Sequence, residues 1–364
     1  MTTLGLGFPM EMQETLRIYL ERLHPLYPVI NLEEIQTGYG WNRNELLCAI
    51  CAAVHAQASS QKNNQYNHQQ CEKYLKLALK YREVQDINDN TSPNKVLVTF
   101  LLFITYWSLN REVYAWWYLR ESIALILSFR MHRQGYYQTL GTAEADKRRV
   151  LFWSVFIAER TFCLLYNKPI TLRPWIHLPG TSGISENECL TAGFIRRVIL
   201  FQSVEIDLAG HWTPAGFVTP LTLGPTPEPD TELGQGLPIQ EFHYAITREW
   251  LRAKIWKLGI PGQACGEFVA SAENVQWRFD EPVRIAEATL GILRRFKTDL
   301  RDFWCVILDQ MLCDICKCLY DIKAVMQTKS GDLDLTLEGL QEVLSGYYGQ
   351  SELDFLKECI QKTY

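Results

Sequence analysis

The chain has 364 residues, 47% of them apolar and 21% charged, with a formal net charge of −5. That is ample core for a globular fold, and the acidic balance argues against direct binding of nucleic acid, which needs clustered Lys and Arg to neutralise phosphates. No signal peptide is evident, and the most apolar run, Val96 to Leu109, falls short of the ~18 residues that suggest a membrane span. A soluble intracellular protein with reduced cysteines is expected.

The first predicted element is a helix from Glu11 to Leu23, with Leu16, Tyr19, Leu20 and Leu23 on one stripe. His24-Pro25-Leu26-Tyr27-Pro28 stops it. Asn42 with Glu45 three positions on reads as an N-cap for a helix from Arg43 to about Ala58, and a second helix runs from about His68 to Val84. Ser92-Pro93 caps a helix over Val96 to Leu109, too apolar to be amphipathic and so a core element. Arg111 to Met131 is helical, with Tyr114, Trp116, Trp117, Ile123, Ile126 and Leu127, and a loop from Gly135 to Gly141 follows it.

The segment from Lys147-Arg148-Arg149 to Pro169 reads as the central helix. From Val150 to Tyr166 it is apolar on nearly every face, so protein must surround it. Glu159 and Arg160 lie inside that run and require partners, because lone buried charges cost several kcal/mol. Pro169 ends the helix. Residues 169–189 and 209–238 are dense in Pro, Gly and Thr, a pattern typical of functional loops. Helices are predicted over Thr191–Leu208, Glu241–Leu258, Pro282–Lys297, Asp302–Met326, Leu335–Leu344 and Glu352–Lys362. No period-2 strand pattern or internal repeat is present. The reading is all-α: one large irregular helical domain over residues 1–364, with about a dozen helices and Pro/Gly-rich loops in the middle.

The basic triplet, then Phe152-Trp153, Phe156, Glu159-Arg160 and Pro169, resembles the middle homology region of fungal zinc-cluster (Zn2Cys6) transcription factors. The tail Thr171-Leu172-Arg173-Pro174-Trp175-Ile176-His177-Leu178-Pro179 is similar to members controlling sugar utilisation, such as the amylolytic and maltose regulators. The resemblance covers residues 10–180 or so. It implies a regulatory, effector-binding domain of a transcriptional activator in the nucleus, with a role that allows shuttling with the cytoplasm. A mono- or oligosaccharide inducer, co-regulator proteins and a homodimer are the implied partners. DNA would be reached only through a missing N-terminal zinc module, and no membrane is involved. The alternative is an interaction scaffold of the same factor with no small-molecule ligand.

The zinc cluster itself is absent: Cys48-x2-Cys51 and Cys313-x2-Cys316-x-Cys318 fall inside helical patterns, where side chains diverge too far for one tetrahedral metal. Buried thiols are the reading, with no metal or cofactor in this chain. No catalytic motif is present, and no enzyme is expected. Ligand-binding candidates are Trp116, Trp117, Trp153, Glu159, Arg160, Trp175, His177, His211 and Trp212. Aromatic faces beside charged or amide groups suit a sugar. For Glu159 and Arg160 a second reading stays open, a structural network tethering the central helix. Trp107, Trp116, Trp117, Trp153, Trp250 and Trp304 lie in helices, where core packing is the commoner role.

Overall fold

A computed structural model describes residues 10–30, 41–59, 65–83, 94–180, 188–205, 222–223, 236–263, 281–296 and 305–326, with residues 336, 338–340 and 342. The fold is all-α. In chain order the helices are α1 (Met10–Ile18, continuing as a π-helical turn Tyr19–Leu23), α2 (Trp41–Ser59), α3 (Gln65–Glu83), α4 (Asn94–Ser108), α5 (Glu112–Ser128), α6 (Gln134–Tyr137), α7 (Thr142–Tyr166), α8 (Glu188–Gln202), α9 (Pro238–Gln263), α10 (Glu281–Arg295) and α11 (Val306–Met326). Among the described residues, no helix is long and apolar enough to cross a membrane.

The described residues fall into two compact units. The first draws on Met1–Cys163, Ile170–Val198 and Leu233–Gln240, the second on Leu164–Pro169, Ile199–Glu232 and Glu241–Tyr364.

In the first unit α2 packs on α3 and α4, and α4 packs on α5. Helix α4 is buried without interruption from Val96 to Trp107, as its lack of a polar face requires. Both α4 and α5 end in left-handed turns. Asn110 (φ 55°) donates its N–H to the Trp107 carbonyl at 2.9 Å, and the Arg111 N–H reaches Tyr106 at 2.9 Å. Asn tolerates this conformation because its short polar side chain bonds locally. At the end of α5 the same position is Arg130 (φ 59°), with bonds from Arg130 to Leu127 and from Met131 to Ile126, both 3.0 Å. A residue carrying a Cβ is strained there. Arg130→Gly should therefore stabilise the protein by about 0.5–1 kcal/mol, read as a raised denaturation midpoint.

Helix α8 meets the turn after α1 through Gln240. Its amide nitrogen donates to the carbonyls of Pro25 and Leu190, both at 2.8 Å, and its oxygen accepts the Leu237 N–H at 2.9 Å. A Cβ at position 193 would lie 2.3 Å from that amide oxygen, so the close approach needs Gly193.

In the second unit α10 packs on α11. Glu249, fully buried, pairs with Arg252 at 2.5 Å and Arg248 at 3.0 Å, and Arg252 also reaches Glu281 at 2.5 Å. The Trp250 indole donates to Asp314 at 3.0 Å.

Most predicted helices are present with shifted ends. Helix α8 stops at Gln202 rather than Leu208, since Val204–Glu205 pairs antiparallel with Thr222–Leu223. A two-residue ladder is too short to leave a period-2 signal. The predicted loop Gly135–Gly141 holds the end of α6, a single helical turn. Residues 336, 338–340 and 342 are helical, in keeping with the predicted Leu335–Leu344 segment. The predicted helix Glu352–Lys362 lies outside the described residues, as does nearly all of the second Pro-rich loop.

Candidate functional site

Every residue of α7 from Val150 to Cys163 is buried. Asn167, at φ 51°, turns the chain, and Pro169 prevents the helix from continuing. The following segment, residues 170–180, runs back along α7 as an extended strap, burying Leu172, Ile176 and Pro179. Its contacts step down the helix in register, from Glu159 through Trp153 to Asp146.

Glu159 makes the first anchor. Its two carboxylate oxygens accept the backbone N–H groups of Thr171 at 2.7 Å and Leu172 at 2.9 Å. Arg160 makes the second, its Nη2 donating to the Leu172 carbonyl at 3.2 Å. The Trp153 indole N–H donates to the His177 carbonyl at 3.1 Å. Gln134 clasps the same residue: its Oε1 accepts the His177 N–H at 3.0 Å, and its amide nitrogen lies 3.1 Å from Nδ1 of the ring. At the far end Gly180 lies so close to Asp146 that a Cβ would come within 2.8 Å of its carboxylate.

The electrostatics are unusual. Glu159 is 0% exposed and Arg160 6%. Burial pushes the Glu159 carboxyl above the usual range, opposed by the Leu172 and Thr171 amides and by the charges of Arg160 and Arg120. Its oxygens meet donors, so the ionised form is the one the strap binds. Burial likewise pushes Arg160 down to about 10, opposed by Glu159 and reinforced by Arg173. The Arg160 guanidinium lies over the Phe156 ring, 3.4 Å from its centroid. Arg120 stands 3.9 Å from Glu159, bonds the Thr171 hydroxyl and covers the Trp116 ring at 5.3 Å.

Trp153, Glu159, Arg160 and His177 are thus brought together along one strap. Half-buried Trp116 adjoins them through Arg120 and stacks on Phe162, centroids 5.9 Å apart. Trp117 and Trp175 project outward, 70% and 71% exposed. Core packing is thereby corrected for Trp117: α5 buries Ala115, Leu119, Ser122, Ile123 and Ile126, and position 117 lies half a turn away from that face. Trp107, Trp153 and Trp250 are core residues. His211, Trp212 and Trp304 lie outside the described residues. Sequence reasoning missed Gln134, Arg120, Thr171 and Asp146. The Trp116–Arg120 spacing of four was a usable signal for Arg120, while nothing local marked the other three.

Among the described residues, no group of three or more His, Cys, Asp or Glu side chains could hold a metal ion. Cys48, Cys51, Cys313, Cys316 and Cys318 are buried in their helices. Burial pushes the Cys48 thiol up to about 11, and those of Cys51, Cys316 and Cys318 to about 12, so they stay protonated.

Residues 16–176 match the family described as fungal specific transcription factor domain. A curated relative, the probable sucrose utilization protein SUC1 of Candida albicans, is 21% identical over 300 residues, covering 78% of this chain and 59% of that protein. No solved structure matches the chain.

Proposed function

We propose, from the match of residues 16–176 to the fungal specific transcription factor domain, that the chain is the inducer-sensing regulatory domain of a fungal transcriptional activator. It binds a small mono- or oligosaccharide and so controls genes of carbon catabolism. The observation that carries this reading is the buried Glu159–Arg160 pair under the 170–180 strap. It sits within the matched region, beside Trp116, Trp153 and His177, a combination of charged and aromatic groups of the kind that ligand sites use. The sucrose-utilisation name of the relative supports a sugar as the inducer class. Trp117, Trp175, His211 and Trp212 remain candidates for outer contacts.

The mechanism is a shift between a resting and an active arrangement. A ligand moves that balance only by its differential affinity for the two. The output passes to co-regulators or to a second copy in the nucleus. DNA contact and zinc belong to a separate module.

A second reading, a scaffold with no small-molecule ligand, is favoured by one observation. Val113, Tyr114 and Trp117 share one side of α5 and are 80%, 57% and 70% exposed. Thermal unfolding against sucrose, maltose, isomaltose, glucose, cellobiose, xylose and quinate separates the two. A ligand at 100 times its Kd adds about 2.7 kcal/mol, a rise of several degrees. A dose-dependent rise with one sugar is expected. A flat panel from a folded protein would leave the scaffold.

A further inference from the structure

Among the described residues, the hydrogen-bonding balance around Arg160 does not close. One of its nitrogens, Nη2, serves the strap; Nε and Nη1 are buried and have no hydrogen-bond partner. Buried polar groups are nearly always satisfied, so two such donors on one charged side chain require an explanation. The charge balance is also open. Arg120 and Arg160 both act on a single carboxylate, Glu159, and Arg173 lies near enough to Arg160 to repel it. Both oxygens of that carboxylate are already taken by the strap amides. Among the described residues, positive charge therefore exceeds negative at the first residues of the strap.

We infer that Arg160 is the anchor for the anionic group of a small ligand, a phosphate monoester or carboxylate, that enters between α7 and residues 170–173. This deepens the sugar-sensing reading and rests on it: the inducer would be an acidic or phosphorylated sugar rather than a neutral one. Guanidinium suits such groups because its planar N–H donors match oxyanion geometry. Arg173, exposed at the strap, and Arg120, 40% exposed, supply the outer positive field.

The enclosure of Nε and Nη1 adds a consequence. An oxyanion reaches them only if the strap over Leu172 shifts, so binding and strap displacement are one step. The ligand then gains its Arg160 bonds only in the displaced arrangement, which is the differential affinity a sensor requires.

The test uses the full chain at fixed ionic strength, with binding read by calorimetry and thermal unfolding. Probes are inorganic phosphate, glucose 6-phosphate, glucuronate, glucose and sucrose. Variants are Arg160→Met, Arg173→Gln and, as a distant surface control, Arg17→Gln. Saturable binding of an anionic probe is expected, weakened by roughly tenfold or more in Arg160→Met and by a smaller factor in Arg173→Gln, with Arg17→Gln unchanged. If Arg160→Met does not fold, Arg173→Gln decides: unaltered anion affinity overturns the inference. Neutral sugar binding with no preference for the acidic forms also overturns it while leaving the sugar-sensing reading intact. Binding of inorganic phosphate with no sugar of either kind supports the anion anchor and removes the sugar. Silence from every probe overturns both.

Discussion

Glu159→Ala should destabilise the protein by about 3–5 kcal/mol, the cost of leaving a buried charge without its partner. Two losses combine. The N–H groups of Thr171 and Leu172 forfeit their acceptor, and Arg160 keeps its charge beside Phe156 with no carboxylate near it. Glu159→Gln separates these effects. Its carbonyl oxygen can accept one strap amide, but its NH2 group opposes the other, so about 2–3 kcal/mol should be lost. Equilibrium unfolding in urea measures both. Amide hydrogen exchange adds a local readout, since Thr171 and Leu172 should lose protection in both variants before α4 does. A Glu159→Ala protein as stable as the wild type would mean that the carboxylate does not hold the strap.

Phe162→Ala should cost a similar amount, about 3–5 kcal/mol, by a different route. Phe162 is fully buried at the meeting of α4, α5 and α7. Its ring centroid lies 5.4 Å from Trp107, 5.7 Å from Phe103 and 5.9 Å from Trp116. Removing it opens a cavity and ends three ring contacts at once, and rigid neighbours from three helices cannot collapse to fill it. Phe162→Leu keeps an apolar branch and should cost only about 1–2 kcal/mol. The contrast in urea unfolding tests whether ring packing or mere hydrophobicity holds this junction. Equal losses for Leu and Ala would favour the rings.

The helical class was legible because the long apolar runs settle it: nothing but a helix inside protein accommodates Val96 to Trp107 or Val150 to Cys163. The need for partners at Glu159 and Arg160 was legible too, since buried charge forces it. Their identity was not. The acceptors and donors are backbone groups of residues 171 and 172, and backbone carries no sequence signature. Trp117 was misread because an all-round apolar helix hides which face is outward; only the buried set Ala115, Leu119, Ile123 and Ile126 fixes it. Arg130 and Gly193 were equally silent. One is an unfavourable residue in a left-handed turn, and the other owes its place to Gln240, 47 positions away in sequence.

The structural network and the ligand site need not be rival readings of Glu159 and Arg160. Glu159 is fully committed to the strap. Arg160 gives the strap one nitrogen and keeps two in reserve. A residue that both holds a segment and retains unmet donors is suited to exchange one for a ligand. Sensing would then be the replacement of a closed strap by a closed strap-free complex of higher affinity.

The central claim, that this chain senses a sugar for transcription, is tested most directly by fusing it to an unrelated DNA-binding domain and measuring reporter transcription with and without sucrose, glucose, glucose 6-phosphate precursors or maltose. The account predicts output that changes with one of these sugars, in proportion to its dose. Output that is strong yet indifferent to every sugar would contradict it.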